Sequence, residues 1–266
     1  LAAKKVWFFF DKTYVCLGTD ISSRMKNQVL TTVNQCLLNG QVTVSDADGI
    51  HPQERGSRMK KGVRWVVHDR VGYYFLNKEN VILSNQRTEG SWKIANRQTT
   101  TPTDIIQQDV FTLSVDHGSY PNNEGYAYMV VPSADPLSIE KQVEEEGVVV
   151  LANCPDVQAV RHDGLNMAYA VFYKGGTLRI HDKIVVEMDA PGMLMVKYND
   201  AGEILTLGVS DPTRFMKKLH LSVNQRIVGT AQENIQTEWD GKQALTRITV
   251  ELPQNEYAGK SVIYNK

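Results

Sequence analysis

Apolar and polar positions alternate with a period of two along most of this chain, the signature of half-buried strands. Residues 109–117 show it plainly. Val110, Thr112 and Ser114 fall on one side, and Phe111, Leu113 and Val115 on the other. Residues 126–131 (YAYMVV) read as the neighbouring strand, with Pro121, Asn122, Asn123 and Gly125 in the connection. Near the start, Trp7, Phe8, Phe9 and Phe10 run together, Asp11-Lys12 breaks the run, and Tyr14, Val15, Cys16 and Leu17 follow up to Gly18. Aromatic and β-branched residues on both sides of a short polar break predict two strands and a tight turn. The unbroken aromatic run has no polar side, which predicts a first strand covered on both faces.

Further strands are predicted over residues 28–36, over 41–45 after the turn pair Asn39-Gly40, and in a hairpin of 64–68 and 72–76 around Asp69-Arg70-Val71. Residues 81–84 continue the meander, and Gly90-Ser91-Trp92 is expected to turn into another strand. Residues 46–62, polar and carrying Gly49, Pro52, Gly56 and Gly62, read as a long loop, and 96–104 as a threonine-rich one. The one helix predicted is 137–146, started by Pro136 and stopped by Gly147, with Leu137, Ile139 and Val143 on one side. Glu144-Glu145-Glu146 opposes the helix dipole, so its end should be short or frayed. Strands resume at 148–151, 157–160, 167–173 and 177–180. Asp189-Ala190-Pro191-Gly192 reads as a domain boundary. Beyond it, 193–198, 204–210, 218–224, 227–230, 235–239 and 244–252 are short strands at near-regular spacing, the pattern of a small β-sandwich.

Composition narrows the class. Of 266 residues, 42% are hydrophobic and 22% charged, as in ordinary globular chains. A net charge of −1 excludes a globally basic nucleic-acid binder. No apolar run approaches the roughly 20 residues that span a bilayer. Cys16, Cys36 and Cys154 are far apart and odd in number, and read as buried free thiols.

Several stretches resemble polysaccharide lyase family 8, which includes chondroitin, hyaluronate and xanthan lyases. KKVWFFFDKTYVCLGTDIS is similar to the family's KKSWFFFDDEIVCLG-like strand pair. WVVHDRVGYYF, RTEGSWKIAN, FTLSVDHGSYPNNEGYAYMVVPS, VVVLANCPDVQAVRH and LGVSDPTR follow in the family's order, with Ala95 where an Asn is usual. The resemblance implies an all-β fold. Residues 1–190 would form a mainly antiparallel, galactose-mutarotase-like supersandwich, and 191–266 a small C-terminal β-sandwich. It implies cleavage of uronic-acid-containing polysaccharides by β-elimination, outside the cell or in the periplasm. The family's catalytic Asn, His, Tyr and Arg belong to a helical domain that precedes the KKSWFFFDD-like strand. No position here matches them, so no catalytic residue is assigned. The chain is expected to be a scaffold and one cleft wall, inactive without that N-terminal helical partner.

Candidate substrate contacts follow from the expected polyanion. Arg55, Arg58, Lys60, Lys61 and Arg64 carry no acidic residue among them and could steer and hold anionic sugars. The alternative is a solvated segment that guards a sheet edge. Trp65 and Trp92 could stack on sugar faces, or serve as core. His117, at a strand end near Tyr120, Tyr126 and Tyr128, is either functional or a backbone-bonded turn imidazole; His68 is a further candidate, and His162, between Arg161 and Asp163, is either functional or a solvated loop residue. No cofactor is implied. His181-Asp182 has no third metal ligand at useful spacing, and Asp46, Asp48 and Glu54 lack the ligand order of a calcium loop, leaving structural calcium unsupported. Two rival readings are a free-standing carbohydrate-binding module and a mutarotase-like sugar epimerase, which needs a His and a carboxylate converging in an open cleft.

Overall fold

The computed structural model describes residues 1–227 and 234–266. The chain divides into two compact units, Leu1–Gln142 and Val143–Lys266. The first holds β1 (Ala2–Phe9), β2 (Tyr14–Ser22), β3 (Gln28–Leu37), β4 (Val42–Asp46), β5 (Gly49–Pro52), β6 (Gly56–His68), β7 (Val71–Gly90), α1 (Trp92–Ala95), β8 (Ile106–Ser119) and β9 (Glu124–Pro132). All nine strands belong to one antiparallel sheet ordered β1-β2-β9-β7-β6-β4-β5, with β8 pairing both β7 and β3. The branch exists because β7 is 20 residues long. Residues 71–75 of β7 pair with β9, and residues 81–90 pair with β8. Leu83, Phe111, Leu113 and Val115, the apolar side of the alternating pattern, are buried with Val44, Val63 and Phe75 in this unit's core. At Gly18 a Cβ would stand 2.1 Å from the Tyr126 ring, so β2 passes that ring only as glycine.

Three expectations change here. β1 is not covered on both faces: Val6 and Phe8 are buried, but Trp7 and Phe9 are 52% and 67% exposed. The strand lies at the sheet's edge, and its pleat sends alternate side chains to opposite faces. Residues 46–62 are not a loop but the hairpin β4–β5 and the start of β6. Their glycines serve pairing. Gly49 (φ +103°) closes the hairpin, and Gly62 (φ +62°) sits in a bulge where the β6–β7 register shifts between Lys60 and Val63. Residues after Gly90 form the short helix α1, because the Ser91 side chain caps it by accepting from Lys93 N at 3.3 Å.

The predicted helix is α2 (Ile139–Glu146), two residues shorter than expected. Asp135 Oδ1 accepts from Leu137 N at 2.8 Å and holds the segment before it in a turn. Leu137 stays 94% exposed, while Ile139 is buried. The second unit continues with β10 (Val148–Asn153), β11 (Val157–His162), β12 (Met167–Phe172), β13 (Gly176–His181), β14 (Ile184–Met188), β15 (Gly192–Tyr198), β16 (Ile204–Ser210), β17 (Lys218–Val223), β18 (Ile235–Asp240), β19 (Leu245–Glu251) and β20 (Val262–Asn265). They form a six-stranded sheet, β10-β11-β12-β15-β16-β20, and a five-stranded sheet, β13-β14-β17-β19-β18. Phe172, Leu194 and Leu207 of one sheet share a core with Ile184, Leu219 and Ile248 of the other, which makes the unit a sandwich. The Asp189–Gly192 stretch, read above as a boundary, is a turn inside this unit. β12 before it pairs with β15 after it, so both sides share one sheet, and the division into units falls earlier in the chain. Most of the strand read at residues 227–230 lies outside the described residues.

The three thiols are free, but only Cys16 is buried; Cys36 is half-buried and Cys154 exposed. Burial pushes the Cys16 thiol up to about 11.

Candidate functional site

The basic stretch does not act as one loop. Arg58, Lys60, Lys61 and Arg64 are spread along β6 and over different partners, and Arg55 lies just before it. Arg58 pairs with Glu54 at 2.7 Å, both well exposed. Lys60 reaches Asp46 at 3.1 Å, and that carboxylate, 4% exposed, also takes His51 at 3.1 Å. Burial alone would raise the Asp46 pKa, but the bonds from His51, the Asp48 amide and Lys60 outweigh it and hold it below the ordinary value. Asp46 is thus occupied by Lys60 and His51 of this chain, and no three His, Cys, Asp or Glu side chains cluster as metal ligands among the described residues. Lys61 is exposed beside the bulge. Arg64 pairs with Glu140 at 3.3 Å. Trp65 next to it is fully buried and donates its indole N–H to Glu140 Oε1 at 3.2 Å. It offers no face to a sugar and is a core residue.

Arg55 and Trp92, by contrast, meet on one ribbon. Gly56 pairs with Asn85 of β7, so Arg55 stands at the base of the long β7–β8 hairpin. Its guanidinium donates to Asp109 Oδ2 at 2.7 Å and to the Asn85 carbonyl at 3.2 Å. Arg87, opposite Asp109 in the register, approaches the same carboxylate at 3.6 Å. The two arginines hold that carboxylate below its ordinary pKa, the Arg55 hydrogen bond leading. Both guanidinium groups remain more than half exposed. A polar cleft of about 470 Å³ opens here, lined by Gln53, Arg55, Asn85 and Asp109.

From Asn85 the ribbon runs to Gly90, about 17 Å at 3.4 Å per residue. At its tip α1 presents Trp92, 62% exposed, above a mainly apolar cleft of about 330 Å³ with Ala95, Ile106 and Gln108 in its walls. Ile94 and Ile105 are also exposed at this tip. Two cations thus stand at the ribbon's base and one open indole ring at its tip. That arrangement can hold an anionic group at the base and the face of a sugar ring at the tip.

His117 is elsewhere. It lies on β8 eight residues beyond Asp109, about 27 Å away along the strand. Its Nε2 is 2.9 Å from Thr31 Oγ1, and its ring centroid lies 6.1 Å from that of Tyr126. Burial lowers its pKa, with Glu124, Lys5 and Asp116 as smaller influences. Lys5 Nζ stands 5.8 Å from the Tyr126 ring centre. Nearby in this electrostatic network, burial and Glu124 push Glu79 up to about 7. His68, also weighed above, is buried against Phe111 and accepts from Asn39 N at 3.0 Å. His162, expected on a solvated loop, is instead buried and bonded to Glu146 at 2.7 Å.

Arg87 and Asp109 were not picked out from the sequence. They are 22 positions apart, and only the β7–β8 register brings them together. The RTEGSW motif that contains Arg87 was a signal, but its geometry was not.

Residues 1–143 match the family described as polysaccharide lyase family 8, super-sandwich domain, and residues 149–220 match its C-terminal beta-sandwich domain. Chondroitinase-AC of Pedobacter heparinus is 35% identical over 262 residues, 98% of this chain and 35% of that protein. A chondroitinase AC lyase solved as enzyme–oligosaccharide complexes superposes with a TM-score of 0.82 at 34% identity, over 98% of this chain and 36% of that one. Paenibacillus xanthan lyase shares the fold with a TM-score of 0.83 at 22% identity, over 99% of this chain and 26% of that one. The chain spans about a third of the length of chondroitinase-AC and less of xanthan lyase.

Proposed function

Since the chain belongs to polysaccharide lyase family 8, we propose that it is the β portion of an enzyme that cleaves chondroitin- or hyaluronan-type chains by β-elimination. The observation that carries this reading is the match to both β domains of one lyase family, in order, over residues 1–143 and 149–220. In this reading the enzyme works outside the cytoplasm, extracellular or periplasmic, where such polysaccharides are met.

The reaction removes a proton α to a uronate carboxylate, a weak acid. It needs a group that neutralises that carboxylate, a base, and an acid for the leaving oxygen. The β7–β8 ribbon suits binding rather than proton transfer. Arg55 and Arg87 can meet carboxylate or sulfate, and Trp92 can stack on a ring. Neither an arginine nor an indole takes or gives a proton at neutral pH. The ribbon is therefore one wall of the substrate cleft. The base and acid come from a helical N-terminal domain acting as partner, and this chain alone binds but does not turn over.

The test is the affinity of the 266-residue chain for a chondroitin hexasaccharide by calorimetry. Trp92→Ala is expected to weaken binding about tenfold, or ~1.4 kcal/mol, with an unchanged melting temperature because the ring is exposed. Arg55→Ala combined with Arg87→Ala should weaken it further and flatten its dependence on salt. Unchanged affinity in both variants would remove the ribbon from the cleft.

A further inference from the structure

The second unit carries a concave polar face that plays no part in the reading above. It is the outward side of the five-stranded sheet, and a cleft of about 530 Å³ opens on it. Strand register builds it in two rows. Glu187 pairs with Ser222, Ser222 with Arg247, and Arg247 with Glu238, so one row crosses four strands. In the next row His220 pairs with Thr249 and Thr249 with Gln236, while Asp189 closes the row by accepting from His220 N at 3.1 Å. Each row is about 14 Å long at the usual spacing of neighbouring strands. The intervening residues Leu221 and Ile248 turn inward to the core, which fixes the polar ones outward.

The chemistry of the lining is mixed. Carboxylates, hydroxyls, an amide, an imidazole and a guanidinium offer both donors and acceptors over one shallow surface, the inventory that a many-hydroxyl ring requires. The charge balance then selects among sugars. Among the described residues of the lining Arg247 is the one fixed cation, and Asp240 (3.2 Å) and Gln243 (2.6 Å) already engage it. Glu187, Asp189 and Glu238 outweigh it. A sulfate or uronate placed here would face uncompensated like charge, which costs affinity. Hydroxyl groups would instead donate to Glu187 and Glu238 in charge-assisted bonds. The two carboxylates stand at opposite ends of one row, which calls for a ligand longer than one ring.

We infer that this face is a second saccharide site, selective for a neutral oligosaccharide and separate from the polyanion-binding ribbon of the first unit. It would tether the protein to neutral glycan that accompanies its anionic substrate. The site rests on its own residues, and its failure would leave the lyase reading intact.

The test is calorimetric titration of the full chain with cellotetraose, maltotetraose and an N-acetylglucosamine tetramer, each to several millimolar, with a chondroitin tetrasaccharide as the anionic counterpart. At least one neutral tetramer is expected to bind. Glu187→Ala and Glu238→Ala should each weaken it about tenfold, and both are exposed, so melting temperatures should hold. Trp92→Ala should leave this binding unchanged. The inference fails if no neutral tetramer binds, or if both glutamate variants bind normally. It also fails if chondroitin displaces the neutral sugar, or if the face proves to be a self-association surface, seen as a concentration-dependent dimer lost in the glutamate variants.

Discussion

Trp65→Ala is expected to lower the stability of the first unit by about 3–5 kcal/mol, the range for emptying a buried tryptophan site. Trp65 is 0% exposed near the C-terminal end of β6, where Tyr74 of β7 is its register partner. Its removal takes away a large apolar surface and leaves a cavity that neighbours held in a nine-stranded sheet can fill only in part. It also withdraws the indole N–H from Glu140, although Arg64 still reaches that carboxylate at 3.3 Å. Trp65→Phe keeps much of the packing and should cost distinctly less. Denaturant unfolding followed by circular dichroism checks this, with separate transitions allowed for the two units. A loss under about 1 kcal/mol would contradict the burial that distinguishes Trp65 from the open Trp92.

The second large effect is expected at Asp211, in the SDPT stretch that follows β16. Its side chain is buried at 3% exposure, and its carboxylate organises the whole turn. One oxygen accepts from Thr213 N at 2.8 Å and Thr213 Oγ1 at 2.5 Å; the other accepts from Phe215 N at 3.0 Å and Met216 N at 2.8 Å. Asp211→Ala leaves these donors without their acceptor and should cost about 2–4 kcal/mol, since bonds to a charged group are the strong ones. Burial by itself would raise the Asp211 pKa, but these hydrogen bonds prevail and hold it below its ordinary value of 3.8. A folded-state pKa below the unfolded one means that its stabilisation is complete above about pH 4. It is lost as pH falls through the folded value. Asp211→Asn should therefore flatten the acid limb of the second unit's stability curve. An unchanged acid limb in that variant would contradict the role given to the carboxylate.

The strands were the most legible part of the fold, because alternation survives wherever one face of a strand is buried. Residues 109–117 needed only their own pattern, whereas 126–131, buried on both faces as β9, pair with β2 and β7 and not with the strand they were expected to neighbour. Glycines misled where pairing, not turning, was their purpose. Gly62 reads as a loop residue locally, and only the partner strand shows that it makes a bulge. The run Trp7–Phe10 misled for a related reason. Whether an aromatic run is covered on both faces depends on what flanks the strand, which its own residues do not encode. Ser91 is a capping residue, but Gly90-Ser91-Trp92 also fits a turn into a strand, and only the bond to Lys93 N decides between them. The candidate site was half legible. Charge picked out Arg55 and aromaticity picked out Trp92, but register joined them to Arg87, burial excluded Trp65, and distance along β8 excluded His117.

The division of labour proposed for this chain, holding polysaccharide without breaking it, is tested most directly by turnover. The purified chain, at a concentration where chondroitin binding is saturated, would be followed by the ultraviolet absorbance of the unsaturated uronate that β-elimination creates. A flat trace in that bound state is predicted. Sustained growth of absorbance that persists through repurification, and falls when His117 or Tyr126 is replaced, would place the proton chemistry within these residues and contradict the account.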